Sequence, residues 1–229
     1  MTQVSPRRSA ELDAVAGRAF FSSWSGGKDS YLALQRAVAG GGRAAALLTM
    51  LREDGRLTHS HGLPLAFVER QAEALSLPLV RRAASWDTYE DAFLDGLAEL
   101  RELVVEVGVF GDIDLQPHRD WVERVCGVAG LAACLPLWLE PRRALLDELF
   151  AAGVEATIVT VDTGRLDERF LGRRLEPALI RELEAAGVDA CGEEGEFHTV
   201  VTGAPLFAAP VAFAPRGVVA VDQYRFIAS

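Results

Sequence analysis

Residues 19–40 read AFFSSW-SGGKDS-YLALQRAVAG, and this stretch decides the fold. AFFSSW (19–24) is a short apolar run of the kind that forms a buried strand. YLALQRAVAG (31–40) spaces its apolar residues as a helix does and stops at Gly40. SGGKDS (25–30) joins the two. Gly26 and Gly27 allow close approach of the backbone to a ligand, and successive N–H groups ahead of a helix form an anion-binding nest. Lys28 adds a compact positive charge, and Ser25 and Ser30 add hydroxyl donors. The loop falls at the carboxyl end of the first strand, where open α/β sheets take their ligands. It is not a Walker A loop: Asp29 follows the lysine, and the first glycine of that pattern is missing. The alternative reading is a plain Gly-Gly turn in which Asp29 caps the helix.

Outward from this stretch, strands and helices alternate. RAAALLTM (43–50), PLVRRA (78–83) and VVEVGVF (104–110) read as the second, third and fourth strands, and LAACLPLW (131–138) as a short extended segment. Helical spacing covers 64–74, 87–103 and 118–130. Such alternation implies βαβ units, a parallel sheet and right-handed crossovers. The pattern changes near Trp138. A helix is expected over 141–152, a strand over ATIVTVD (156–162) and a helix over 176–186. PLFAAPVAF (205–213) and GVVAVDQYRFIA (217–228) read as antiparallel strands. The expected organisation is a flexible tail or loose helix at 1–17, a parallel-sheet, Rossmann-like nucleotide-binding α/β domain at 18–138, and a smaller C-terminal α/β domain at 139–229.

Composition bounds the function. Half of the 229 residues are hydrophobic and 24% are charged, with a mean hydropathy of +0.15, so the chain builds a core without staples and is not globally disordered. A net charge of −10 and a pI near 4.9 repel phosphate backbones and disfavour broad nucleic-acid or anionic-membrane binding. A local basic pocket for a small anion remains compatible with that field. Cys126, Cys134 and Cys191 form no CxxC pair, which argues against a disulfide framework or a Cys-rich zinc site and fits a reducing compartment. No apolar run reaches the roughly 18 residues of a membrane span and no signal peptide is legible, so a cytoplasmic location is expected. The basic residues are 22 arginines and one lysine. The arginine excess fits the codon bias of a GC-rich genome, and the single lysine, Lys28, stands inside SGGKDS.

A second concentration of unusual residues is CGEEGEFHTV (191–200), where Glu193, Glu194 and Glu196 bracket Gly195. Three carboxylates so close either form a solvated turn or serve a site by binding Mg²⁺, orienting ammonium or acting as a general base. Phe197, His198 and an apolar strand follow, so one face points inward. His59 and His61 form an HxH pair that suits either a metal or a structural or substrate-loop role. Arg119 and Arg124 follow Asp112 on one helix; they either neutralise a phosphate or an acceptor carboxylate, or form a solvated face. Trp121 and Trp138 read as core, and the cysteines as buried and inert.

SGGKDS after the first strand resembles the PP-loop of the N-type ATP pyrophosphatases, which cleave ATP between its α and β phosphates. Further along come SHGLP (60–64), QAEALSLPLV (71–80), FGDI (110–113), HRDWVERVC (118–126), PLW (136–138), LGRRL (171–175), GEEGEFHT (192–199) and PLF (205–207). In this order they make residues 18–213 resemble the diphthine–ammonia ligase family. The resemblance implies a HUP-type, adenine nucleotide alpha hydrolase-like domain and a smaller C-terminal domain. It implies ATP and Mg²⁺ as cofactors, ammonia and a carboxylate acceptor as substrates, AMP and diphosphate as products, and a homodimer as an option. Carried onto this chain, it implies that Ser25, Gly26, Gly27, Lys28, Asp29 and Ser30 hold the ATP phosphates, with Lys28 and Asp29 also catalytic. The backbone from Leu48 to Met50 would meet adenine, His61 would line the nucleotide site, and Asp112 would help place Mg²⁺ or substrate. Glu193, Glu196 and His198 would act on the acceptor side, with Glu194, Gly195, Thr199, Arg119 and Arg124 binding the acceptor. Glu194 stands where the family pattern has Gly, and His198 where it has Glu; this form resembles a bacterial branch, and the acceptor stays open. Two other readings are a tRNA-modifying PP-loop enzyme, against which the charge and the lack of paired thiols weigh, and an ATP-binding regulator without turnover.

Overall fold

A computed structural model describes residues 6–228 of the chain. In chain order its elements are α1 (Pro6–Asp13), β1 (Ala19–Ser23), α2 (Lys28–Ala39), β2 (Arg43–Arg52), α3 (Leu65–Leu75), β3 (Leu79–Ala84), α4 (Tyr89–Glu102), β4 (Val107–Val109), α5 (Gln116–Val128), β5 (Ala132–Cys134), α6 (Arg142–Ala151), β6 (Glu155–Asp162), a 3₁₀ turn (Glu168–Phe170), α7 (Pro177–Ala185), β7 (Phe197–Gly203), β8 (Gly217–Val221) and β9 (Tyr224–Ala228). They fall into two compact units. The first runs to Ser25 and resumes over Asp29–Arg56 and Ser76–Glu140. The second takes Gly26–Lys28, Leu57–Leu75 and the described residues from Pro141 onward.

The first unit is built on a five-stranded parallel sheet in the order β3-β2-β1-β4-β5. The inner strands β1, β2 and β4 are buried along most of their length, as strands covered on both faces are, whereas the outer strand β3 exposes Arg81. The chain builds outward from β1 to β3 and then returns to the centre at β4, so the topological switch point lies at β1 and β4. The carboxyl ends of these two strands lead into Ser25 and into Gly111-Asp112, the crevice where doubly wound sheets bind ligands. On one face α4 buries Phe93, Gly96, Leu97 and Leu100, a helical stripe. With Val122, Val125 and Cys126 of α5 it packs on Phe21, Leu48 and Phe110. Phe21 and Phe110 meet edge to face at 5.8 Å. Helix α2 buries Tyr31, Leu32, Leu34 and even Arg36, whose guanidinium donates to the Pro136 carbonyl at 2.8 Å.

The second unit has a four-stranded antiparallel sheet in the order β7-β6-β9-β8, with α3, α6 and α7. The expected 18–138 domain kept Gly26–Lys28 and the α3 region with the parallel sheet; by internal contacts these segments belong to the second unit, and the division falls at Glu140 and Pro141.

Several local expectations are corrected. The fourth strand is not 104–110 but Val107–Val109. Val104 is 73% exposed at φ 57°, and its N–H closes α4 on the Arg101 carbonyl at 3.0 Å. An apolar run alone does not separate a helix-ending turn from a strand. The second strand runs on to Arg52, so Leu48–Met50 lies inside it, paired with Val80, Arg81 and Arg82 of β3. PLFAAPVAF is not a strand. Pro205 and Pro210 have no N–H for a ladder, and the segment instead straps α3 and β7. The Ala208 N–H donates to the Ala74 carbonyl and the Val211 N–H to the Thr202 carbonyl, both at 2.7 Å, and Phe213 packs edge-on against Phe67. Of the expected tail at 1–17, residues 1–5 lie outside the described residues, and Pro6–Asp13 is helix α1. Glu11 fastens that helix by accepting from the Leu135 N–H at 2.9 Å and pairing with Arg119 at 2.9 Å. No helix among the described residues is long and apolar enough to cross a membrane.

Candidate functional site

The loop between β1 and α2 contributes to both units, and each part is described in its own frame. In the first unit the Ser25 hydroxyl donates to the Ser30 hydroxyl at 3.2 Å, which ties the two ends of the loop. A side chain at Gly111 would come within 2.7 Å of the Asp29 backbone carbon, so the end of β4 runs hard against the start of α2. Asp112 follows at once, with its carboxylate 3.0 Å from Nδ1 of His118. At the end of β1 the Trp24 N–H donates to the Leu48 carbonyl at 2.8 Å. Alternation along β2 then aims the Met50 N–H and C=O to the same side, beyond the last residue of β1.

In the second unit Gly26, Gly27 and Lys28 are cradled by α3, the 57–64 segment and β7. The Gly26 carbonyl accepts the Val201 N–H at 2.9 Å and the Gln71 amide at 3.0 Å. Gly26 has φ 82°, and a side chain there would meet Gln71 Oε1 at 2.7 Å and Leu63 at 2.9 Å. At Gly27 it would run into His61 and sit 3.0 Å from the Thr199 carbonyl. Both glycines are therefore required, the first by conformation and the second by close approach. Lys28 is 4% exposed. Its N–H donates to Thr199 Oγ1 at 3.1 Å and its ammonium donates to the Cys191 carbonyl.

The acidic segment splits by role. The Asp189 carboxylate accepts the N–H groups of Cys191 and Glu193, at 3.1 and 2.9 Å, and pairs with Arg142 at 2.9 Å. Glu196 is buried and accepts the Glu194 N–H at 3.1 Å, so it shapes the turn at Gly195, whose φ is 86°. Glu194 points outward, 3.5 Å from Arg165. His61 donates Nδ1–H to the Thr199 carbonyl at 2.7 Å and stacks on His198 with ring centroids 4.6 Å apart. Burial lowers the His61 pKa to about 4, with the Lys28 charge adding to the effect and the Thr199 bond opposing it. Burial, His61 and Lys28 hold His198 well below the usual histidine value. Both rings are neutral at pH 7, leaving His61 Nε2 as an unprotonated lone pair.

These depressed values predict acid lability. The unfolded chain binds protons that folded His61 refuses, so stability is full above about pH 6.5 and is lost as pH falls towards 4. Urea unfolding at pH 7 and at pH 4.5 should show a His61-dependent loss of about 2 kcal/mol. The same pair of measurements on His61→Gln should show that part of the slope gone; equal slopes would disprove the assignment.

Of the sequence-predicted residues, the second unit brings together Gly26, Gly27, Lys28, His61, His198 and Thr199, and the first brings together Ser25, Ser30, Asp29 and the Gly111-Asp112 turn. Arg119 and Arg124 are matched within the first unit. Arg119 lies 2.9 Å from Glu11 and 2.7 Å from Glu123, with its guanidinium over Trp138, and Arg124 holds Glu90 with two 2.6 Å bonds. Burial pushes the Cys126 and Cys134 thiols up to about 12, so neither is a ready nucleophile. Among the described residues no three His, Cys, Asp or Glu side chains converge as a metal site. Gln71 and Asp189 were missed as site residues. Gln71 carried a legible signal: it interrupts the apolar stripe Phe67, Val68 and Ala72 of α3, and a polar group in such a stripe needs buried partners.

A parallel α/β sheet with a glycine-lysine loop at its switch point defines a doubly wound, Rossmann-like protein, the class that binds ligands at that crevice. Residues 19–133 match the diphthamide synthase N-terminal domain and residues 141–214 the diphthamide synthase C-terminal domain. The chain is 32% identical to the diphthine–ammonia ligase of Rattus norvegicus over 208 residues, covering 80% of this chain and 78% of that one. It is 33% identical over 209 residues to the enzyme of that name from Mus musculus, with the same coverage. A solved structure described as a subunit of tRNA methyltransferase from Methanocaldococcus jannaschii aligns with a TM-score of 0.43 and 15% identity, over 82% of this chain and 98% of that one. The chain belongs to the diphthamide synthase family.

Proposed function

We propose that this chain is an ATP-dependent ligase that amidates a carboxylate with ammonia, as its relatives' name describes, releasing AMP and diphosphate. One observation carries the reading. The two motifs of the sequence meet at the only lysine, with Lys28 N–H on Thr199 and its ammonium on the Cys191 carbonyl. A phosphate loop fastened to the acidic motif suits a reaction in which nucleotide and acceptor must be held together.

In this reading Ser25, Ser30, Lys28 and the loop amides bind the triphosphate, and the Met50 N–H and C=O take the adenine edge. The acceptor carboxylate attacks the α-phosphorus, the bond to the β-phosphate oxygen breaks, and diphosphate leaves. Lys28 and the loop amides stabilise the charge that develops. Ammonia then attacks the acyl carbon and AMP leaves. Glu193 attracts the ammonium that supplies the nucleophile, and neutral His198 takes the proton that the attacking nitrogen sheds as the C–N bond forms. Asp112 is a hard oxygen donor that suits Mg²⁺ carried in on the phosphates, where the ion would screen their charge. Glu196 and Asp189 hold the acceptor loop in shape.

The test follows phosphorus NMR of ATP with ¹⁵N-ammonium and host extract. AMP and diphosphate, with ¹⁵N appearing in an extract component as an amide, is the expected outcome. ADP and phosphate, or AMP without ¹⁵N transfer, overturns the reading.

A further inference from the structure

Helix α4 carries aromatic residues at Tyr89 and Phe93, and Trp86 stands in the turn before it. Spacings of three and four set these rings in one row. The row continues a ladder that begins in the core. Ring centroids are 5.8 Å apart between Phe21 and Phe110 and 6.3 Å between Phe110 and Phe93. Tyr89 then lies nearly parallel to Phe93 at 6.4 Å, and Trp86 stacks on Tyr89 at 5.6 Å. Because α4 joins the parallel strands β3 and β4, it runs against them, and its N-terminus stands at the carboxyl end of the sheet. The ladder therefore climbs from the core to the ligand crevice of the first unit. Its last ring, Trp86, is 72% exposed, and no other aromatic side chain among the described residues is classed with it as exposed. The turn that carries it is pinned. The Ser85 N–H donates to Thr88 Oγ1 at 3.1 Å, and the two hydroxyls lie 3.1 Å apart.

The top of the ladder borders the crevice at two points. Tyr89 packs on the cluster that holds Met50, the residue whose N–H and C=O are aimed past the end of β1. Burial and the charge of Asp112 push the Tyr89 hydroxyl up to about 12, so the ring lies within reach of the residue that ends β4. Strands β2 and β4 flank β1 and its loop, and Tyr89 touches the surroundings of both. A flat ring whose edge meets the Met50 backbone turns its face to this end of the ladder. Offset stacking of one more ring on the ladder is favourable, and every nucleobase has a face to offer. Single-stranded nucleic acid uses exposed rings in the same way, but a net charge of −10 repels a long phosphate chain, which leaves a mononucleotide as the occupant. We propose that Trp86, seated on Tyr89, is the stacking platform for the adenine ring of the nucleotide. The inference rests on the ATP reading above and adds to it. Backbone groups of Met50 read the edge of the base and Trp86 holds its face. Stacking tolerates any base, so Trp86 supplies affinity and Met50 supplies identity.

Calorimetric and fluorescence titrations with α,β-methylene-ATP, whose α–β link does not hydrolyse, test this beside inorganic tripolyphosphate, which has no base. Trp86→Ala should raise the dissociation constant of the nucleotide roughly tenfold and leave that of tripolyphosphate unchanged. Trp86→Phe keeps a ring and should recover most of the affinity. The nucleotide should quench the tryptophan emission of the wild-type chain and leave that of Trp86→Phe nearly unchanged, because none of the other three tryptophans is exposed. Melting curves of both variants should lie close to wild type, since the ring is largely in solvent. Equal nucleotide affinity with and without Trp86, or a parallel loss of tripolyphosphate binding, overturns the inference and leaves the ATP reading standing. Quenching by tetramethylammonium at the same concentration would make the ring a platform for cations instead, and overturns it too. A chain that binds neither probe removes the ATP reading, and the platform falls with it.

Discussion

Lys28→Ala should reduce ATP-dependent AMP release by roughly 10²–10³-fold while the protein stays folded. Lys28 is 4% exposed, so its charge acts where solvent screening is weak. In the proposed reaction that charge faces the oxygen on which negative charge builds as diphosphate leaves. The substitution also strips a donor from the Cys191 carbonyl, at a cost of about 1–3 kcal/mol. A thermal melt must therefore accompany the phosphorus NMR assay. Lys28→Arg is the sharper control, because a planar guanidinium does not replace a compact ammonium in a filled site. It should keep the positive charge and still lose most of the activity. A folded Lys28→Ala protein that releases AMP at the wild-type rate would remove the phosphate loop from the chemistry.

Gln71→Leu should be the most destabilising single change near the loop, by about 2–3 kcal/mol. Gln71 is fully buried, and its amide donates to the Gly26 carbonyl at 3.0 Å and the Val201 carbonyl at 2.8 Å. Leucine fills similar space but donates nothing. The Val201 carbonyl then loses its side-chain donor in a dry site, and Gly26 is held by the Val201 N–H alone. For a chain of this size the melting temperature should fall by roughly 5–10 °C, read by calorimetry. AMP release should fall as well, because the same amide sets the path of the backbone into Lys28. A shift under about 2 °C would mean that Gln71 is a spectator.

Much of the fold was legible because its signals are local. The apolar runs at β1, β2 and β3, the helical stripes of α2, α4 and α5, and the Gly-Gly-Lys loop each follow from residues a few positions apart. The strand alternation was enough to give the parallel sheet, and the order of motifs was enough to give the family. The failures are local as well. Val104 reads as strand because a run of valines looks the same in a turn, and 205–213 reads as strand by its apolar pattern although its prolines lack donors.

The partners in the site were decided by tertiary structure alone. Lys28 and Cys191 are separated by 163 positions, His61 and Thr199 by 138, and Gln71 and Val201 by 130. Nothing in the local pattern of one member points to the other. The sequence by itself determined which residues carry charge, which turns need glycine, and which segments must be buried, because those depend on side-chain chemistry and neighbouring dihedrals. Whether Glu196 shapes a turn while Glu194 faces solvent depends instead on how β7 pairs with β6. So does the stacking of His61 and His198 as neutral rings beside a buried lysine. Burial sets both the hydrogen-bond partners and the proton affinities, and burial is a property of the packed chain.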